Sequence, residues 1–375
     1  MALMRRRALW ILIAAKILGG WGLGWDIRWH ILIGRDSFWI APHVMTYTAV
    51  AVLSLVSFAV LVADTRRARR GRAPTDTVRL AGLTGTRGWH LAWWGMALVI
   101  LAAPLDDLWH RLFGIDVTLW SPPHLLGLVG SQVNTLAMLL IALEEWPAGR
   151  AARTAALLTA GTLLFGLFQI LVDPSGRIAF LYGGVLFYTW AFFGALVFAF
   201  SFVLLARLTD RQSAPVVLVA ASVLVQLSIW VVADTGFALL QPESKIEEAI
   251  KEDPTSPIAV AHEMARRAGV PPGRSLMLRL LPALPALVLA LVDPRRRWLA
   301  SSLAFGATLA ATWGWFASRA PALAHAVPQA PEAAIGVGLS IVAAVIGGWF
   351  ARELATLMST PAVAGSPARL GSTIA

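Results

Sequence analysis

Runs of about twenty apolar residues recur along the whole chain, separated by short connections rich in arginine. Roughly twenty helical residues cross the hydrocarbon core of a bilayer. Inside that core each backbone amide must be bonded within its own helix or within a closed barrel. The pattern predicts an all-α fold, a polytopic transmembrane helical bundle of about ten spans. The spans are expected near 8–31, 43–63, 89–112, 123–143, 154–172, 179–206, 215–240, 276–292, 298–318 and 334–355. Composition agrees: 58% of the 375 residues are hydrophobic and 14% charged, against roughly 25% charged in a soluble domain. A soluble enzyme, a disordered chain and a collagen-like fibre are thereby excluded. The 17 Trp beside 3 Tyr suit indole rings at the bilayer interface.

Charge gives the expected orientation. Arg66, Arg67, Arg69, Arg70 and Arg72 follow the second apolar run, Arg150 and Arg153 the fourth, Arg207 and Arg211 the sixth, and Arg295, Arg296 and Arg297 the eighth. Every second connection is basic, which predicts that these connections and both termini lie in the cytoplasm of a multi-pass inner-membrane protein. The net charge of +10 is thus directed at a lipid bilayer, and nucleic acid is not an expected partner. Arg5-Arg6-Arg7 before an apolar run could open a signal peptide. Gly24-Trp25-Asp26 offers no small-x-small cleavage site, so a retained first helix is expected. Residues 241–275 read as a polar outward loop, with an amphipathic helix over Pro242–Glu252. Pro104, Pro282 and Pro285 predict kinks inside spans. The chain divides into a four-span half (1–147), three further spans (148–240), the outer loop (241–275), three C-terminal spans (276–358) and a flexible tail (359–375).

Within the first half a pattern repeats. Asp26, Trp29 and His30 are followed by Gly34-Arg35-Asp36 and by Pro42-His43; Asp106, Trp109 and His110 are followed by Gly114-Ile115-Asp116 and by Pro123-His124. The frames are Asp-x3-His-x12-His and Asp-x3-His-x13-His, and they hold four of the seven histidines. Residues four apart share a helix face. A glycine loop then reverses the chain, and proline is tolerated in the first turn of the next helix. Each frame is expected to converge one carboxylate and two imidazoles near the outer membrane edge. Such a donor set suits copper, iron or zinc; absence of cysteine excludes thiolate ligands and c-type haem. The expected metal ligands are Asp26, His30 and His43, and Asp106, His110 and His124. Asp36 and Asp116 could orient the ligating imidazoles, or could instead be loop caps or arginine partners. Arg35 most simply pairs with Asp36. Asp107 is expected to turn a third of a turn away from the cluster, from where it could replace Asp106. The plain alternative is an internal duplication retained for packing, its Asp–His hydrogen bonds joining helices.

At these residues the chain resembles a copper-binding membrane subunit of the membrane-bound copper monooxygenases, the particulate methane and ammonia monooxygenase family, over about residues 20–145. That family subunit carries Asp-x3-His-x12-His with an Arg-Asp pair and a proline between the histidines; Asp26, His30, Arg35, Asp36, Pro42 and His43 match it. A second family site reads Asn-x3-His-x13-His; His110, Pro123 and His124 match, while Asp106 stands in place of the asparagine. The resemblance implies copper, dioxygen activation, hydroxylation of a small hydrophobic substrate, a donor such as quinol and partner membrane subunits. No cupredoxin domain, which another subunit of the family complex carries, is legible in this chain. Two 2-His-1-carboxylate sets would also suit iron. Two other readings compete: a non-catalytic metal-binding or metal-handling membrane protein, and a secondary transporter. A transporter calls for broken helices or midplane charges in both halves, whereas this repeat sits at span ends in one half.

The remaining polar residues suggest supporting roles. Gln132 and Asn134 are expected to bond between helices, and Lys16 to snorkel or pair. Asp173 and Asp234 read as helix-end carboxylates, His90 as interfacial, and His325 as a lone loop histidine. His262-Glu263 lacks the second histidine of a zincin motif and reads as surface.

Overall fold

The structure is a computed structural model. It describes residues 2–34, 37–72, 76–113, 121–182, 184–272, 274, 276–319 and 329–360. For His110, 173–182, 184–191, Pro257, Ala261, Met264, Ala268, Met277, Leu278 and Ala317 it describes the backbone alone. The elements are α1 (Ala2–Leu32), α2 (Ala41–Arg69), β1 (Thr77–Leu80), β2 (Leu83–Thr86), α3 (Arg87–Phe113), α4 (Pro122–Glu145), α5 (Ala151–Tyr182), α6 (Gly184–Thr209), α7 (Ala214–Leu240), α8 (Ile246–Glu252), α9 (Pro257–Ala268), α10 (Met277–Leu280), α11 (Ala283–Val292), α12 (Trp298–Arg319) and α13 (Ala330–Ser359). The fold is almost wholly helical. Eight of its helices are long and apolar enough to cross a membrane: α1 to α4, α5 over Ala151–Val172, α6 over Phe192–Thr209, α7 and α13.

Two hairpins, α1–α2 and α3–α4, make up the first half, and α6 packs on α5 and α13 in the second. Small residues set the close approaches. A Cβ on Gly95 would stand 2.8 Å from the Gly130 carbonyl oxygen, and one on Gly130 2.6 Å from that of Gly95, so α3 and α4 meet backbone to backbone. Aromatic rings fill the wider gaps: Phe165 meets Phe198 and Phe202 at 5.2 and 4.9 Å, and Phe202 meets Phe305 at 5.6 Å. Gln132 donates to the Leu164 carbonyl at 3.1 Å and Asn134 to that of Ala92 at 3.0 Å, as interhelical bonding predicts. Lys16 donates to the Ser131 carbonyl at 2.7 Å and hydroxyl at 2.6 Å.

One end of the bundle is tied by charge. Buried Arg5 pairs with Asp64 of α2 and, at 3.4 Å, with Glu145 of α4. Glu144 accepts from the Thr86 hydroxyl at 2.6 Å and from the Gly88 amide at 2.9 Å. Arg87 donates to the Thr360 carbonyl at 2.9 Å, so both ends of the described chain lie here.

Several expectations are corrected. The span at 276–292 is broken: α10 has four residues and α11 ten, separated at Leu281 and Pro282. A ten-residue helix is about 15 Å long, half the hydrocarbon core. Proline lacks the amide that would continue the ladder. Arg279 fills the break, donating to Gln169 at 3.1 Å and to the Gly166 carbonyl at 3.3 Å. The segment still reaches the α6–α7 connection, where Gln212 donates to the Ala290 carbonyl at 2.8 Å. The run at 298–318 folds as α12, which is not one of the eight. The antiparallel hairpin β1–β2 was unforeseen. It lies over His90, which is buried rather than interfacial and contacts the Val78 carbonyl at 3.2 Å. The outer segment holds two helices, α8 and α9, and the first begins at Ile246 rather than Pro242. Residues 361–375 and His325 lie outside the described residues.

Candidate metal centre

The first frame folds at the tip of the α1–α2 hairpin. Asp26 and His30 stand one turn apart near the end of α1. Gly34 follows at φ +71°, a left-handed conformation that costs glycine little. Ile40 is the N-cap of α2, Pro42 occupies its first turn, and His43 is its third residue. Reversal thus brings His43 back over the carboxylate. Its Nε2 lies 3.1 Å from Asp26 Oδ1, and Nε2 of His30 lies 3.6 Å from the same oxygen. One donor atom from each of the three side chains falls within 4.8 Å of the others, the one such group of three among the described residues.

The chemistry of this set fits a cation. Asp26 Oδ1 is buried and accepts no hydrogen bond, although two imidazoles flank it. A buried carboxylate oxygen left so is costly unless a positive charge satisfies it. The three side chains keep 19% (Asp26), 27% (His30) and 20% (His43) exposure, so the cluster opens to one side. Two imidazoles and a carboxylate with an open side match the donors that borderline transition metals take.

The surrounding contacts fix α1. A Cβ on Gly22 would meet Thr46 Oγ1 at 2.5 Å and the Pro42 carbonyl at 2.9 Å; glycine there lets the first turn of α2 close on α1. On the other side of α1, Trp25 and Trp29 pack with Phe237 of α7, and a Cβ on Gly236 would stand 2.1 Å from the Trp25 ring. Arg28 donates to Asp234 at 2.8 Å, and Asp234 also pairs with Arg274. Asp234 therefore belongs to this ion cluster and not to the ligand set.

The outer segment caps α1. Ser244 Oγ donates to the Leu32 carbonyl at 2.7 Å, the Lys245 amide to that of Ile33 at 2.8 Å, and His262 Nε2 lies 2.7 Å from that of Ile31. Three carbonyls left over at a helix end are thus satisfied. His262 is half-buried in this role, a correction to its reading as a surface residue. Nothing in its local sequence signals the contact, because its partner lies on α1.

The second frame repeats the geometry in part. Ser121 is the N-cap of α4, Pro122 and Pro123 form its first turn, and His124 again is the third residue. His124 Nε2 lies 3.3 Å from Asp106 Oδ1. Asp107 is exposed and pairs with Arg111 at 2.7 Å, so it faces away from this pair. The side chain of His110, and all of Arg35, Asp36 and Asp116, lie outside the described residues, as does the side chain of Asp173.

Beside His43 the tip carries aromatic rings. Tyr47 lies 5.8 Å from the imidazole and 5.0 Å from Phe38, and Phe38 lies 4.8 Å from Trp39. Phe38 and Trp39 are exposed. The chain matches no family model, no curated protein and no solved structure.

Proposed function

We propose that this chain is a multi-pass inner-membrane protein in which Asp26, His30 and His43 hold a metal ion, copper before iron or zinc, for oxidation chemistry. The observation that carries this is the convergence of one carboxylate and two imidazoles from two helices on a common point. The chain crosses ten times in this reading, the eighth crossing being the broken pair α10–α11, with both termini in the cytoplasm. The arginines of the tied end support that orientation. The metal site then lies on the extracytoplasmic side. Asp106 and His124, with His110, would hold a second ion.

A bound copper would supply the redox chemistry that dioxygen activation requires. The protein's part is positional. His30 and His43 offer neutral nitrogen donors from two helices, and Asp26 contributes the negative charge. The exposed rings of Phe38, Trp39 and Tyr47 give a hydrophobic substrate a lateral approach from the lipid. Hydroxylation balances when one oxygen atom enters a C–H bond and the other leaves as water. Two electrons and two protons are needed, and a quinol supplies both. Partner membrane subunits belong to the same reading.

A second reading, metal handling without catalysis, is favoured by the partial exposure of all three ligands. One experiment addresses both. Metal content is measured in lipid for the wild type, His30→Ala and His110→Ala. Equal occupancy in all three overturns the site assignment. Oxygen uptake with quinol and a small alkane or alkene then separates the readings: uptake supports oxidation, and silence at full metal occupancy supports handling.

A further inference from the structure

The opposite end of α1 carries a groove that the metal site does not use. It lies between α1 and α2, has a volume of about 440 Å³, and is lined by Leu3, Met4, Ile11, Val56 and Ala59, with Arg7 as its one charged residue. That volume lies within the range of small-molecule pockets. Leu3, Met4, Ile11 and Ala59 are exposed, so the groove faces outward from the bundle.

The three consecutive arginines differ in their partners. Arg5 is buried against Asp64 and Glu145. Arg6 donates to the Glu145 carbonyl at 2.9 and 2.7 Å and lies over the Trp146 ring. Arg7 is exposed on the groove and has no ion-pair or hydrogen-bond partner among the described residues. Depth follows from helix geometry. α1 has 31 residues, about 46 Å at 1.5 Å per residue, against a core of about 30 Å. Between Arg7 and Asp26 its one charged side chain is Lys16, which is bonded inward. Arg7 and Asp26 therefore mark the two edges of the apolar stretch, and Arg7 stands at headgroup level.

We propose that this groove is a binding site for an anionic phospholipid, with the headgroup phosphate on Arg7 and an acyl chain along Ile11 and Val56. Acyl chains gain little by moving from one apolar surface to another within the bilayer. Selectivity must then come from the charge, and guanidinium is suited to phosphate. The site is independent of the metal reading.

The test uses the full-length protein in micelles with equal amounts of phosphatidylglycerol and phosphatidylcholine of matched chains, the bound lipid being counted by native mass spectrometry. The wild type should retain the anionic lipid about fivefold over the zwitterionic one, the scale of one arginine near a membrane surface. Arg7→Gln should bring the ratio to about one. Ala59→Trp, which fills the groove and leaves Arg7, should reduce the lipid retained. Arg79→Gln, on the exposed hairpin, should leave both unchanged. An unchanged ratio in Arg7→Gln overturns the proposal. So does an equal loss in Arg79→Gln, which would mean general attraction to a basic surface. A change of oligomeric state in Ala59→Trp with lipid retention intact also overturns it, since the groove would then seat a second copy of the chain.

Discussion

Asp26 Oδ1 lies 3.1 Å from Nε2 of His43, although the two residues belong to different helices joined by a reversing loop. This one contact makes the tip of the first hairpin a cluster of ligands rather than a helix end with a histidine on it.

Asp26→Asn keeps the shape of the side chain and removes its charge. Metal affinity should fall by about a hundredfold, the upper end of what loss of a supporting hydrogen bond alone costs a metal site. Titration calorimetry of the protein in lipid nanodiscs measures it. If the pair merely joins helices, the variant should instead lose thermal stability while metal affinity stays unchanged.

Gly22→Ala places a methyl group within 3.0 Å of the backbone and side chain of Thr46 and within 2.9 Å of the Pro42 carbonyl. Such overpacking typically costs about 1–3 kcal/mol. Because it pushes α2 off α1 one residue from His43, metal affinity should fall with stability. Gly20→Ala is the control, since its added methyl meets nothing within 4 Å. Thermal unfolding in detergent and metal titration of both variants decide.

Arg5→Met removes the cation shared by Asp64 and Glu145, leaving two carboxylates in a buried environment. Breaking a buried ion pair from one side costs about 3–5 kcal/mol. The triple variant Arg5→Met, Asp64→Leu, Glu145→Leu should recover most of that loss, because it leaves no unpaired charge. Melting temperatures of the two variants test the order.

Asp293, in the connection after α11, accepts hydrogen bonds from the Arg295 side chain, which hold its carboxyl below the usual carboxylate range. A lowered folded-state value means stability that is present above the unfolded carboxylate range and lost as pH falls through the folded value. The wild type should therefore be more stable than Asp293→Asn near neutrality, and acidification should close the gap. Asparagine tolerates the left-handed conformation at this position, φ +66°. Melting curves from neutral to acidic pH follow the convergence.

Much of the fold was legible because membrane helices satisfy their own backbone. A run such as Ala214–Leu240 is long and apolar enough to be read without knowing its neighbours. The first ligand set was legible for the same local reason: Asp26 and His30 share a face by spacing, and Gly34 and Pro42 mark the reversal that returns His43. The break at Pro282 was expected only as a kink; its size depends on Arg279 and α5, which stand in for the lost backbone bonds. His90 and His262 were misread because their partners, the Val78 and Ile31 carbonyls, are backbone atoms on other elements.

The sequence by itself determined the class of fold, the approximate helix limits and the identity of the first donor set, since each follows from contacts within a few turns or one loop. Only the tertiary structure decided which charges pair, which carbonyls are capped from a distance, and which of three adjacent arginines is left facing lipid. Those outcomes depend on how helices far apart in the chain rotate against one another, and rotation is set by the fit of small residues such as Gly22, Gly95 and Gly236 against their neighbours.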